Sequence, residues 1–292
     1  HNEYGTWLGQ QVQEFVSSEG LEVDFVASHG HTSHHQPEKG VTWQLGSGQH
    51  LANACGLKTV CDFRSNDVAL GGQGAPLVPI GDQKLFGDYS FCLNLGGISN
   101  ISFQYEGKRI AYDIGIANMI LNHICNKSGL LFDEDGKLAS QGSVNAPLLE
   151  ALNQVEYYQQ PFPKSTGYEW FLKELVPVLE QYPDSLENQL STAVAHITDQ
   201  VAKQVKNYTP GGERTLLVTG GGAHNKFLIE QLSDRLSSNT EVIVPDKTLV
   251  DYKEALVFGL MGAMRVENEI NILASVTGAS RNCIGGVIYH PA

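Results

Sequence analysis

Leu8, Val12, Phe15 and Val16 recur at helical spacing and predict a helix over residues 4–18. Apolar runs then predict short strands: Asp24–Ser28 leads into a polar, histidine-rich loop, and Val41–Leu45 and Lys58–Phe63 follow on either side of a helix at 48–55. Beyond them Gly71–Pro76 reads as an irregular Gly/Pro loop. Ser90–Phe103 predicts two strands around a glycine turn, Arg109–Asp113 a third strand, and 117–127 a helix. Residues 146–157, 168–181 and 186–206 have helical patterns. Thr215–Thr219 is an apolar strand ending in three glycines, followed by a helix from about 224, a short strand at Glu241–Pro245 and a long helix at 253–266. Hairpins mixed with alternating strands and helices predict an α/β protein with mixed sheets.

Composition narrows what such a fold could do. The chain has 292 residues, which favours two domains, and 41% of them are hydrophobic, enough for sizeable cores. A formal charge of -13 argues against a nucleic-acid partner and against an anionic membrane surface. No apolar run reaches the roughly 18 residues of a membrane span, and the N-terminal stretch has no basic-then-apolar leader pattern. Cys55, Cys61, Cys92, Cys125 and Cys283 are odd in number and form no CxxC, which fits a cytoplasmic protein with reduced thiols rather than a disulfide or zinc framework.

Several segments carry candidate chemistry. Gly220-Gly-Gly222 follows a strand and precedes Asn225 near a helix start, a place where backbone can approach an anionic ligand closely; the plain alternative is a strand–helix turn. The triplet is neither a GxGxxG dinucleotide fingerprint nor a P-loop. Gly96-Gly97, with Asn100 behind it, offers hairpin N–H groups to phosphate oxygens or is an ordinary tight turn. Asp113 ends a strand where it could hold Mg²⁺, or simply cap the next turn. In Asp62-Phe-Arg-Ser-Asn-Asp67, a carboxylate beside a glycine loop is placed to act as a general base, and Arg64 to orient a carboxylate or phosphate; a turn or capping role is the alternative for either aspartate. His29, His31, His34 and His35 lack an HExxH pattern, so the segment reads as a polar loop whose hydroxyl and imidazole groups, Thr32 and His29 among them, hydrogen-bond a substrate. Lys164 in Pro163–Gly167 could meet an anion or belong to a surface loop, and Glu254 falls in the first turn of the predicted last helix, where the dipole favours a carboxylate whatever its function.

Taken in order, SHGHTSHHQP (28–37), DFRSNDVALGGQGAPLVP (62–79), LNLGGISNIS (93–102), DIGIAN (113–118), PFPKSTG (161–167), TGGGAHN (219–225) and KEALVFG (253–259) resemble the anhydro-N-acetylmuramic acid kinase family, within the actin, sugar-kinase and heat-shock-chaperone ATPase superfamily. The resemblance implies a two-domain actin-like, ribonuclease H-like ATPase fold, each domain a mixed sheet flanked by helices, with ATP in an interdomain cleft. It implies a first domain of residues 1–85 joined by a C-terminal helical segment of about 253–292, and a second domain of 86–252. It assigns Gly96, Gly97 and Asn100 to a phosphate hairpin and Gly220, Gly221, Gly222 and Asn225 to the adenosine side. It also matches Asp67 to the catalytic base and Glu254 to a sugar-holding acid. The implied reaction uses ATP and Mg²⁺: water opens a 1,6-anhydro sugar, and its O6 takes the γ-phosphoryl group, giving N-acetylmuramic acid 6-phosphate in cell-wall sugar recycling. A homodimer is implied as well.

The chain departs from the family pattern in three places. A phosphate loop of the type MSGTSxDG has no counterpart after His1, so the chain is expected to start one segment into the first domain. Ile114 and Ile116 stand where the family commonly has residues of a Gly/Pro-containing run, and His31 stands where Gln is more frequent. The missing loop motivates an alternative, a non-catalytic nucleotide- or sugar-binding relative or an inactive fragment.

Overall fold

The computed structural model describes residues 1–208 and 213–292, which form two compact units: His1–Leu85 with Glu254–Ala292, and Phe86–Lys253. The strands are β1 (Val26–Ser28), β2 (His31–Gln36), β3 (Val41–Leu45), β4 (Thr59–Cys61), β5 (Phe91–Leu95), β6 (Ile98–Tyr105), β7 (Lys108–Ile116), β8 (Arg214–Thr219), β9 (Thr240–Ile243) and β10 (Val287–Tyr289).

In the second unit the sheet order is β7-β6-β5-β8-β9, with β5, β6 and β7 antiparallel and β8 and β9 added in parallel. Three consecutive hairpin strands followed by parallel additions on the far side of the first strand is the arrangement expected of an actin-like, ribonuclease H-like domain. β5 is central, and Phe91, Cys92, Leu93 and Leu95 are buried, so it reads as an apolar run rather than an alternation. Its core continues into the helices Asn118–Lys127 and Leu186–Asn207. The second of these is buried nearly all round, including Thr192 and Thr198, whose hydroxyls donate to the carbonyls of Asn188 and Val194 four residues back.

In the first unit β4 lies between parallel β1 and antiparallel β10, and Val60, Phe63, Ile80, Val257, Phe258 and Met261 form the core around it. The helix Asn2–Ser18 leaves room for the helix Gly48–Cys55 through Gly5 and Gly9, where side chains would strike the backbone of Ser47 and Leu51.

Four local expectations are corrected. The histidine-rich segment is a strand, β2, paired with β3 around an irregularity between Thr32 and His34. All six of its residues are exposed, so it lacks the one-sided alternation that identifies a strand. The last long helix begins at Lys247 rather than 253, with Asp246 Oδ1 accepting the Leu249 N–H. That helix ends at Val266; the segment beyond it is mostly irregular, with a short helix at Ala274–Thr277 and β10, not a helical run to 292. Within the predicted helix at 168–181, Phe171–Leu175 is π-helical just before Pro177, whose missing N–H breaks the regular ladder.

Candidate active site

Two adjoining cavities in the second unit share Asn118, Asn122 and Gly221. One, about 630 Å³, is also lined by Asp133, Asp135, His224, Asn225 and Asp251; the other, about 520 Å³, by Gly96, Gly97, His123, Tyr168 and Phe171. The fold thus brings Gly96 and Gly97 beside Gly221 and Asn225, across the 123 residues of chain between Gly97 and Gly221. The parallel pairing of β5 with β8 is the cause, since both glycine turns leave the same end of neighbouring strands. The β5–β6 turn is tied down by its own backbone: the Gly96 N–H donates to Ile98, while Gly97 O accepts from the N–H groups of Ala117 and Met119. Asn100 sits in β6 opposite Asp113 of β7 and lines neither cavity.

The glycine triplet divides its labour. At Gly220 φ is +83°, and a side chain would lie 2.5 Å from Asn94 Oδ1. At Gly222 a side chain would lie 2.7 Å from Leu95 Cβ, so both glycines exist to pack the turn on β5. Only Gly221 faces open space, with Asn118 Nδ2 the nearest atom at 3.8 Å, and only Gly221 of the three lines the cavities. Asn225 caps the helix Lys226–Leu236 by accepting the Leu228 N–H on Oδ1.

Asp113 is half-buried on β7. Its Oδ2 accepts the Thr166 N–H at 3.1 Å, its N–H donates to Lys164 O, and its carbonyl accepts the Tyr157 hydroxyl at 2.8 Å. Burial pushes its carboxyl above the ordinary aspartate value, partly offset by the Thr166 hydrogen bond. Lys164 does not present its ammonium to an anion. Its Nζ donates to Tyr157 O and lies 4.6 Å from that ring's centre, and burial draws its pKa down to about 8.

In the first unit Arg64 donates from Nε and a terminal nitrogen to His29 Nε2, at 3.1 and 2.6 Å, and from the other terminal nitrogen to Gly74 O. His29 must therefore keep its proton on Nδ1, which lies 3.1 Å from Gly30 O as a donor. Burial, with the Arg64 charge second, holds His29 below the usual histidine pKa, so the ring is a neutral acceptor that positions Arg64. Both ring nitrogens being engaged, His29 has none left for a sugar hydroxyl. Glu254 is exposed and close enough to Arg64 and His29 to raise both their proton affinities. Because the helix starts at Lys247, Glu254 stands two turns inside it, and the dipole explanation for a carboxylate there falls away. Thr32 is exposed on β2 and accepts a long 3.4 Å bond from Gln44.

Asp67 has 0% of its surface exposed. Oδ1 accepts the Thr277 hydroxyl at 2.7 Å and Oδ2 the Gly74 N–H at 2.8 Å, while Gly72 packs so closely that any side chain there would collide with the carboxylate. Water does not reach the carboxylate in this structure, and both of its oxygens staple the protein around the glycine loop. The neighbouring Asp62 (φ +57°) accepts the Ser65 hydroxyl and lines a separate cavity of about 150 Å³ with His29.

Sequence reading did not single out Asn118 and Asn122. Asn118 closes the matched DIGIAN segment and Asn122 stands four residues on, on the same helix face, which is the signal that could have found them. Among the described residues no three His, Cys, Asp or Glu groups come together to hold a metal, and Asp113 stands as a single carboxylate.

A family model described as anhydro-N-acetylmuramic acid kinase matches residues 1–291. Proteins named anhydro-N-acetylmuramic acid kinase match from Hydrogenovibrio crunogenus (34% identity, 97% of this chain and 78% of that one) and Aliivibrio fischeri (38%, 92% and 76%). One from Vibrio cholerae matches at 39%, over 91% of this chain and 74% of that one. Among solved structures, the activator of the 2-hydroxyisocaproyl-CoA dehydratase from Clostridium difficile with bound ADPNP matches at 14% identity and TM-score 0.42, over 66% of this chain and 67% of that one.

Proposed function

The chain belongs to the anhydro-N-acetylmuramic acid kinase family, and from that membership we propose that it opens 1,6-anhydro-N-acetylmuramic acid with water while phosphorylating O6 from ATP. The match over residues 1–291 carries this reading, and no observation favours a non-catalytic relative. The product is N-acetylmuramic acid 6-phosphate with ADP, and the substrate's origin in cell-wall recycling puts the enzyme in the cytoplasm, where ATP is supplied.

ATP is assigned to the adjoining cavities of the second unit. Their size suits a nucleotide. Gly96 and Gly97 let phosphate oxygens approach backbone, Gly221 leaves room for the nucleoside, and the amides of Asn118, Asn122 and Asn225 offer neutral donors and acceptors. Mg²⁺, which neutralises charge on the transferring phosphoryl group, needs few protein ligands when phosphates supply the rest. With no three-group set among the described residues, it is assigned to the nucleotide rather than to a cage. Arg64, held by His29 and Gly74, retains unused N–H groups for an acidic or hydroxyl group of the sugar, and Glu254 and Thr32 add acceptors and a hydroxyl in the same unit.

The base is assigned to Asp113. Of the two aspartates in matched motifs at issue, it alone keeps exposed surface, and its raised proton affinity suits proton transfer near neutrality better than an ordinary carboxylate would. As the water oxygen bonds to the anomeric carbon, its proton passes to Asp113. The bond from that carbon to O6 breaks, O6 bonds to the γ-phosphorus, and ADP leaves. Assaying sugar 6-phosphate formation from ATP tests the function: turnover confirms it, and none beside an active control overturns it. The implied homodimer is tested by light scattering.

A further inference from the structure

The larger of the two adjoining cavities has a wall that nothing described so far uses. Leu130, Leu131 and Phe132 form an apolar loop tip after the helix Asn118–Lys127, and all three are exposed. Leu130 and Leu131 line neither cavity, but Phe132, with 59% of its surface exposed, lines the larger one. Among the described residues it is the only phenyl, phenol or indole ring there, with Leu121 beside it as the other large apolar side chain. A ring left largely in water forgoes the burial that an aromatic side chain ordinarily gains.

The loop carrying the ring is braced. Just after it, Asp133 Oδ1 and Oδ2 accept the Leu138 and Ala139 N–H groups, each at 2.9 Å; just before it, the Leu130 N–H donates to Cys125 O. At Gly136 a side chain would collide with Asn225 Oδ1, and Lys226 Nζ pairs with Asp135 at 3.1 Å, so the loop is fixed to the turn that carries Gly221 and Asn225. The two cavities also differ in charge. Asp133, Glu134, Asp135 and Asp251 line the larger with Lys247, whereas among the described residues no carboxylate lines the smaller. Lys137 and Lys226 offset part of that charge at Glu134 and Asp135, and His224 Nε2 lies 2.7 Å from Asp251 Oδ1. A triphosphate is repelled by carboxylates, which puts the phosphates in the smaller cavity with Gly96 and Gly97, and the uncharged nucleoside in the larger.

We propose that Phe132 is the stacking wall for the nucleobase of ATP. This rests on ATP occupying these two cavities. A base and a phenyl ring stack through their faces, whatever hydrogen-bonding edge the base presents, and the contact covers the exposed ring. Phe132 therefore sets how tightly the nucleotide is held and takes no part in phosphoryl transfer.

Calorimetry with Mg-ATP on the full chain tests this. Phe132→Ala is expected to weaken binding by about tenfold, within the range of a lost base–aromatic stack, Phe132→Leu nearly as much, and Phe132→Tyr to bind as the unsubstituted chain does. Because the ring is largely exposed, all three should keep the melting temperature within about a degree or two, and sugar 6-phosphate formation at saturating ATP should not change. Unchanged ATP binding in Phe132→Ala, full binding in Phe132→Leu, or turnover lost at saturating ATP overturns the stacking role. Gly221→Leu separates this from the reading it rests on, because it fills the cavities at the triplet glycine that faces open space; Gly221→Ala replaces it if the larger side chain unfolds the chain. ATP binding retained there overturns the nucleotide site, and this proposal with it. ATP binding lost there but unchanged in Phe132→Ala overturns the stacking alone.

Discussion

Asp67 and Asp113 look alike as sequence: each stands in a matched motif beside a turn or loop rich in small residues. In the fold they are opposites. Asp67 gives both oxygens to the protein, one to Thr277 and one to Gly74, and no surface to solvent. Asp113 gives one oxygen to a single backbone N–H, keeps exposed surface, and sits where its charge is penalised. A carboxylate whose lone pairs are filled by its own fold stabilises the fold; one left underfilled, at a cost, is available for chemistry.

The sharpest way to break this contrast is kinetic. Asp113→Asn is expected to lose about 10²–10⁴-fold in kcat while retaining ATP affinity measured by calorimetry. An enzyme that tolerates Asp113→Asn but not a folded Asp67 variant would reverse the assignment.

Next comes stability. Asp67→Ala leaves the Thr277 hydroxyl and Gly74 N–H without their acceptor, at about 1–3 kcal/mol for each buried group, and should lower the denaturation midpoint clearly. Asp113→Asn should do the reverse at neutral pH. The folded-state pKa of Asp113 is raised, so its contribution is most favourable below the unfolded value and is lost as pH rises through the folded one. Removing the charge therefore helps at pH 7 and not at pH 3, a difference that urea titrations at the two pH values will read.

The glycine triplet offers a smaller version of the same contrast. Gly220→Ala combines a positive φ with a collision at Asn94 and should cost about 1–3 kcal/mol in thermal or urea unfolding. Gly221→Ala meets nothing closer than 3.8 Å, so it should leave the melting temperature within a degree or two, under about 0.5 kcal/mol, and weaken ATP binding instead.

Much of the frame was legible in the sequence. The β5–β6 hairpin announces itself by apolar strands on either side of Gly96-Gly97, and the helices Asn2–Ser18 and Leu186–Asn207 by spacing and, for the latter, a Ser185 cap. The strand β2 was not legible, because a run of exposed polar residues carries no periodic signal and its partner β3 alone makes it a strand. The true start of the helix at Lys247 was missed although Pro245-Asp246 is a cap signal, because its first turns expose polar Lys247, Thr248 and Asp251.

By itself, then, the sequence determined which motifs are present, their order, and hence the family; local periodicity and residue chemistry suffice for that. Which members of those motifs touch a ligand was decided only in three dimensions. β5 beside β8 set Gly97 near Gly221, Thr277 reached back 210 residues to fill the carboxylate of Asp67, and the Thr166 loop folded onto Asp113. Whether a carboxylate is filled or free depends on partners distant in the chain, and no local pattern encodes those.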